Sequence, residues 1–210
     1  KKYFRKHIFV IGSINLFNLQ KKKLNYKIKI KSINMDFKIS DLTGNELPVL
    51  DIAYNQKSAF EKITNKSNQY IFKCFDAAIK LIKRNKIIGF VNCPISKESL
   101  FEKKYQGVTE FLSRKDNKKG GEVMLIYNKN LSVSPITTHL PLKYVAKNIN
   151  KMKIINNVNK INKFYLDLIN KRPKFAILGL NPHCETIDKI SEENKIIIPA
   201  INFLKRKKIN

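Results

Sequence analysis

The stretch "KFAILGLNPHCE", Lys174 to Glu185, decides the fold. Its opening is a short, nearly continuous apolar run, which reads as a strand of a buried parallel sheet. In open α/β sheets the residues just past a strand's carboxyl end face the ligand crevice. The chain has only three histidines, and one of them, His183, stands at such a position.

Working outward, strand-like and helical patterns alternate. "HIFVIGS" (7–13) reads as a strand, and "YKIKIKSI" (26–33) alternates with period two, as a half-exposed strand does. From Ser67 to Lys86, Ile71, Phe75, Ala78, Ile79 and Ile82 recur at three and four, the spacing of an amphipathic helix. "IIGFVN" (87–92) reads as a buried strand stopped by Pro94. "EVMLIY" (122–127) and "LSVSPITT" (131–138) read as a strand pair, with helical segments at 142–150 and 153–170. Ser191 caps a last helix, Glu192 and Glu193 oppose its dipole, and Pro199 is expected to kink it. The polar stretch 36–66 reads as an excursion from the sheet, and 113–122 as a loop. This is the β-α-β alternation of an α/β fold with a mostly parallel sheet.

Composition narrows the classes. A hydrophobic fraction of 43% over 210 residues supports a real core rather than a disordered basic tail. No apolar run is long enough to span a bilayer, and "KKYFRKHIFVIGS" is too quickly polar for a signal peptide, so a cytoplasmic protein is expected. The net charge of +26 raises nucleic acid as a partner. Against it, the lysines are spread along a chain rich in Asn and Ile, and arginine, the residue of bidentate guanine readout, is scarce. The charge is then expected to attract small anions. Cys74, Cys93 and Cys184 are far apart and show no C-x-x-C spacing, which suits a reducing compartment, and Cys184 reads as a small buried thiol.

Four stretches carry candidate chemistry: "NCPISKE" (92–98), "GVTEFLS" (107–113), "TTHLPL" (137–142) and "GLNPHCE" (179–185). His139 and His183 each follow a strand-like run beside a proline turn, and neutral imidazole is a common ligand of divalent transition metals. Two such ligands do not complete a catalytic metal site, which typically has three from the protein. Lys97 could meet a phosphate, Thr109 can donate a hydroxyl hydrogen bond to a phosphate or carboxylate, and Glu110 could cap a helix. No P-loop, G-x-S-x-G or G-x-G-x-x-G is present.

In this order the four stretches resemble the 4-hydroxythreonine-4-phosphate dehydrogenase family of pyridoxal phosphate biosynthesis. "IIGFVNCPISKESL" is similar to its strand and proline-lysine loop, "GVTEFL" to its Gly-His-Thr-Glu-Phe segment, and "TTHLPL" matches directly. "GLNPHCE" with the later "SEENKIIIPAINFL" is similar to its Asn-Pro-His loop and following helix. The resemblance implies an isocitrate/isopropylmalate-dehydrogenase-like α/β/α sandwich of two domains with a cleft between them. Residues 1–98 would belong to the first domain and 99–210 to the second, which holds metal and substrate and dimerises. It implies a homodimer with sites completed across the interface, NAD or NADP as cofactor, and a divalent metal (Zn, Mg or Co). The reaction implied is oxidation and decarboxylation of 4-phosphooxy-L-threonine to 3-amino-2-oxopropyl phosphate. His139 and His183 would be two metal ligands, and Thr109 and Val108 would stand at the substrate-binding positions; no catalytic residue is assigned.

The departures also matter. Val108 stands where the family carries a substrate-binding histidine, and it can neither donate a hydrogen bond nor carry charge. The loop after His183, "CETIDKIS", lacks the family's glycines. The family's N-terminal Gly-Asp-Pro-Gly-Ile-Gly segment and the C-terminal segment with a third metal ligand are absent, so the sequence is expected to be a fragment lacking both termini and inactive alone. A paralogous dehydrogenase of another phosphorylated four-carbon hydroxy acid, or of a cyclic diol carboxylate, is the alternative reading within the family. A basic nucleic-acid-binding module is the alternative outside it.

Overall fold

The computed structural model describes residues 7–102, 104–105, 107–116, 121–184 and 191–209. The chain divides into two compact units, Lys1–Asn117 and Lys118–Asn210.

The first unit is built on a parallel sheet of three strands, β1 (Val10–Gly12), β2 (Ile30–Ile33) and β3 (Leu47–Asp51), in the order β1-β3-β2. Helix α1 (Ile14–Lys23) starts directly after β1, where the Ser13 hydroxyl accepts a hydrogen bond from the Leu16 amide at 3.3 Å as N-cap. β3 lies inside the stretch expected to be an excursion from the sheet, and it is the central strand. Pro48 hid it, because proline within an apolar run argues against a central strand. The register resolves the conflict. The Leu47 amide points to β2, donating to the Lys29 carbonyl at 2.8 Å. The next residue's missing N–H therefore faces the other side, where pairing with β1 begins only at Val10↔Val49.

Helix α2 (Asn65–Lys83) matches the expected amphipathic pattern and joins two apolar clusters. Ala77 and Leu81 pack with Ile33, Phe37, Leu42 and Leu50 against the sheet. Phe75 packs with Leu100, Phe101 and Phe111 of two short helices, α3 (Lys97–Phe101) and α4 (Val108–Lys115). This phenylalanine cluster keeps α3 and α4 with α2, so the compact unit runs on to 117, whereas the sequence reading divides the chain at 98. The segment 87–92, expected as a buried strand, forms none. Phe90 packs on Phe75 with ring centroids 6.0 Å apart, but Ile88 is 70% and Val91 97% exposed. Among the described residues no neighbour pairs with it, and an apolar run without a ladder partner is not a strand.

The second unit has a helical core. α5 (Lys151–Phe164), with Asn150 as N-cap accepting from the Lys153 amide at 2.8 Å, packs Ile154, Ile155 and Val158 against Ile197, Ala200 and Leu204. It runs into a π turn, Tyr165–Ile169, that ends at Asn170 in the left-handed region. The expected helix at 142–150 appears as two 3-10 turns, Leu142–Tyr144 and Ala146–Asn148. The expected strand pair shrinks to one antiparallel bridge, Ile126↔Val133. "KFAILGL" forms no strand either. Phe175 and Ile177, half-buried, pack on the helical core while Leu178 is 82% exposed, so only one face of the run is covered and no described strand flanks it.

The last helix begins at the Ser191 cap, whose hydroxyl accepts from the Asn194 amide at 3.2 Å. It passes through a π turn, Glu193–Ile197, before α6 (Ile198–Arg206). Pro199 explains the wide turn: it has no N–H for the carbonyl four residues back, and the ladder shifts just before it to the five-residue bond from the Ile198 amide to the Glu193 carbonyl.

Candidate functional site

Each unit carries two of the four candidate stretches. In the first unit they meet at the helices α3 and α4. Ser96 caps α3, accepting from the Ser99 amide at 3.4 Å, and this places Lys97 at the first position of α3 with its side chain exposed. Gly107, buried and extended, is the N-cap of α4. A Cβ there would stand 3.1 Å from Glu110 Oε2 and 3.9 Å from Lys97 Nζ. Lys97, Gly107 and Glu110, from "NCPISKE" and "GVTEFLS", are thus brought together.

The two substrate-position residues point to different surroundings. Thr109 is exposed in the first turn of α4. Val108 is half-buried and packs on the phenylalanine cluster. α4 itself is tied to α2 by the Lys115–Asp76 ion pair at 3.0 Å. The stretch 113–122 is therefore not all loop: α4 runs through Lys115, and residues 117–120 lie outside the described residues.

In the second unit His139 and His183 are both exposed, and both have left-handed backbones, with φ of 56° and 58°. Eight non-glycine residues have positive φ among those described. Asn25, Asn85, Glu102, Asn170 and Lys208 do so at or just past a helix C-terminus, where that conformation is the usual stop. His139, His183 and Cys184 are the others, and they fall in the two histidine loops. Cys184 is exposed, which corrects the expectation of a buried thiol. The loop folds back so tightly that a Cβ on Gly179 would collide with the Cys184 Sγ.

What holds the His183 loop is Glu193, a residue whose sequence position speaks only for the helix dipole. Its side chain is buried, and Oε1 accepts from the backbone amides of Leu180 and Asn181, each at 2.8 Å. Oε2 accepts from Asn181 Nδ2 at 2.8 Å, and Glu192 Oε2 accepts from the same nitrogen at 3.0 Å. The Asn181 hydrogen bonds, ahead of the contributions from its own helix and from Leu180, lower the Glu193 carboxyl to about 2. A helix N-terminus followed by a glutamate gave no sign of this, because the dipole alone accounts for such a residue. The remainder of the loop, 185–190, lies outside the described residues.

Whether these residues fit a metal is a matter of donor chemistry. Two exposed imidazoles suit a divalent transition ion, and they make an incomplete set: no three His, Cys, Asp or Glu side chains among the described residues stand together as a metal cluster. Two cavities among the described residues lie away from the candidate residues. One, of about 380 Å³, lies between Leu125, Tyr127 and Phe164 in the second unit, and one of about 200 Å³ lies beside Asn68 and Tyr105 in the first.

Comparison with known proteins adds an independent line. The family model described as pyridoxal phosphate biosynthetic protein PdxA matches residues 5–210. A 4-hydroxythreonine-4-phosphate dehydrogenase of a Sulfurihydrogenibium species is 31% identical over 200 residues, covering 93% of this chain and 61% of its own. The enzyme of that name from Aquifex aeolicus is 32% identical over 196 residues, covering 89% and 57%. Among solved structures, a 4-hydroxythreonine-4-phosphate dehydrogenase from Burkholderia phymatum superposes with a TM-score of 0.83 at 21% identity, over 97% of this chain and 62% of the other. The one from Klebsiella pneumoniae gives 0.79 at 21% identity, over 95% and 63%. The α/β fold expected from the sequence is the fold these structures share with it, and the chain spans about 60% of the length of these relatives.

Proposed function

Because this chain belongs to the pyridoxal phosphate biosynthetic protein PdxA family, we propose that it is part of a metal-dependent, NAD(P)-linked dehydrogenase. Its substrate is 4-phosphooxy-L-threonine. The match over residues 5–210, which takes in all four candidate stretches in order, carries the reading. In the reaction the substrate's secondary alcohol gives a hydride to the nicotinamide and a proton to a base, and the resulting keto acid loses carbon dioxide to leave 3-amino-2-oxopropyl phosphate. A bound divalent metal supplies Lewis acidity at the substrate's oxygens.

The chain's own residues bind and orient. Thr109 donates its hydroxyl to the anionic substrate from an exposed first helical turn. His139 and His183 would hold the metal, and imidazole donors favour zinc or cobalt over magnesium. The net charge of +26 draws a phosphorylated acid toward the protein. Homodimerisation, a cytoplasmic setting and a metal- and substrate-holding role for residues 99–210, which take in the end of the first unit and all of the second, belong to the same proposal. The test is formation of reduced nicotinamide from 4-phosphooxy-L-threonine by the protein carrying this chain at its relatives' full length, with and without added metal. No metal-dependent turnover with either NAD or NADP sinks the reading.

One observation favours a second reading. Val108 is committed to the phenylalanine cluster and offers the substrate no polar group, which suits a paralogue acting on another phosphorylated four-carbon hydroxy acid. Faster turnover of such an acid than of 4-phosphooxy-L-threonine would establish it.

A further inference from the structure

Among the described residues Glu193 is the one buried carboxylate, 4% exposed. Burying a carboxylate is costly unless hydrogen bonds replace its water, and here, besides its own helix, the partners come from a single short segment twelve or thirteen residues away in sequence. The backbone amides of Leu180 and Asn181 converge on Oε1, and the Asn181 side chain closes on Oε2. A helix needs none of this from a first-turn glutamate, because an exposed one opposes the dipole as well.

The segment so gripped leads directly into His183. After Asn181 the chain has Pro182, with its fixed φ, and then His183 itself in the left-handed region at φ 58°. The Cys184 amide donates back to the Asn181 carbonyl at 3.1 Å, so the turn closes on the residue that Glu193 holds. Gly179 completes the grip: a Cβ there would press on Glu193 Oε1 at 3.3 Å as well as on Cys184. The anchor is in turn fixed by the buried Ser191 cap. Few rotatable bonds separate this anchored backbone from the imidazole.

We infer that Glu193 is the positioning residue for His183: it binds neither metal nor substrate, and it sets the backbone from which the His183 imidazole is presented. The inference rests on the reading of His183 as a metal ligand. Partners that orient a metal ligand without touching the metal typically contribute ten- to a hundredfold in affinity.

The chain's three histidines make the test direct, since each imidazole signal in an NMR spectrum is assigned by one substitution. Zn²⁺ is titrated into the chain and into the variants Glu193→Ala, Glu193→Gln and His183→Ala, following the imidazole signals and measuring affinity by competition with a chromophoric chelator. The expected result is that Zn²⁺ shifts the His139 and His183 signals. Glu193→Ala then lowers affinity about tenfold or more and uncouples the His183 response from that of His139. Glu193→Gln, whose carbonyl oxygen still accepts both backbone amides, recovers most of the loss. A purely structural glutamate would not move one imidazole's response selectively. Should Glu193→Ala fail to unfold cooperatively, Asn181→Ala, which removes only the side-chain half of the grip, takes its place and is expected to weaken Zn²⁺ binding in the same selective way. Loss of affinity in His183→Ala with none in the Glu193 or Asn181 variants overturns the positioning role and leaves the ligand reading standing. Unchanged affinity in His183→Ala overturns the ligand reading itself.

Discussion

The two units hold their candidate residues by opposite means. In the first, α4, which carries Val108 and Thr109, is placed by apolar packing: its Phe111 and Val108 join a cluster with Phe75, Phe101 and Tyr105, and Tyr105 stands edge-on to Phe111 at 5.3 Å. In the second, His183 is placed by polar bonds, with one buried carboxylate gathering two amides and a side chain. Apolar packing is non-directional and tolerates small shifts. A converging set of hydrogen bonds defines position and direction together, which the metal-ligand role proposed for His183 would demand and which packing around an exposed threonine does not give.

The largest way to break this comparison is through the rings. Phe111→Ala removes a buried ring that touches Phe72, Phe75, Phe101 and Tyr105, and is expected to cost about 3–5 kcal/mol in denaturant unfolding. Because the same ring backs Val108, the start of α4 should lose amide-exchange protection ahead of the sheet. A loss below about 1 kcal/mol would mean that the cluster does not place this site. Next in size, Gly179→Ala forces a methyl into the Cys184 sulfur and against Glu193, and overpacking of this kind costs about 1–3 kcal/mol. Adding Cys184→Gly should return most of that loss. If the double variant is no better than the single one, the tight turn is not what requires glycine.

The sequence showed the parts of this molecule whose pattern is local. α2 and α5 announce themselves by apolar spacing, and His139 and His183 by proline turns after apolar runs. It concealed what depends on partners distant in the chain. β3 reads as polar excursion because the harmlessness of Pro48 depends on where β1 begins to pair. Ile87 to Asn92 and Lys174 to Leu180 read as strands because an apolar run carries no record of whether a neighbour is present to form a ladder. Glu193 stayed hidden for another reason: its local explanation was sufficient, and nothing in "SEEN" points back to Asn181. Family resemblance groups four stretches that spacing alone leaves as separate candidates.

A smaller effect sharpens the polar half of the comparison. The Glu193 carboxyl, ordinarily near 4.5, is lowered to about 2 by its Asn181 bonds. A depressed folded-state value means that the charged form favours folding: the contribution is complete above about pH 4.5 and is lost as pH falls toward 2. Amide exchange at Leu180 and Asn181, corrected for its intrinsic pH dependence, should therefore lose protection across that window. In Glu193→Gln, which has no proton to gain, the same amides should show no such loss. Equal behaviour of the two proteins would assign the acid sensitivity to other carboxylates.

The smallest effect leaves stability untouched and reads the two kinds of environment through their thiols. Cys93 and Cys184 are exposed, whereas Cys74 on α2 is half-buried beside Tyr70. Burial pushes the Cys74 thiol up to about 11, with a hydrogen bond to Tyr70 offsetting part of the rise, and it pushes the Tyr70 hydroxyl to about 12. Because the thiolate is the reactive form, a chromogenic disulfide at mildly alkaline pH should titrate two thiols quickly and a third slowly, and Cys74→Ser should remove the slow phase. Raised folded-state values mean that the neutral forms favour folding, so these two groups support the fold fully below about pH 9 and withdraw that support as pH passes through about 11 for Cys74 and about 12 for Tyr70. The slow thiol should then become fast only in strong alkali. If all three react together at mildly alkaline pH, the α2 face toward Tyr70 is open in solution. Its Ser13 amide bond to the Tyr70 hydroxyl, 2.9 Å here, would then not hold the end of β1 in place.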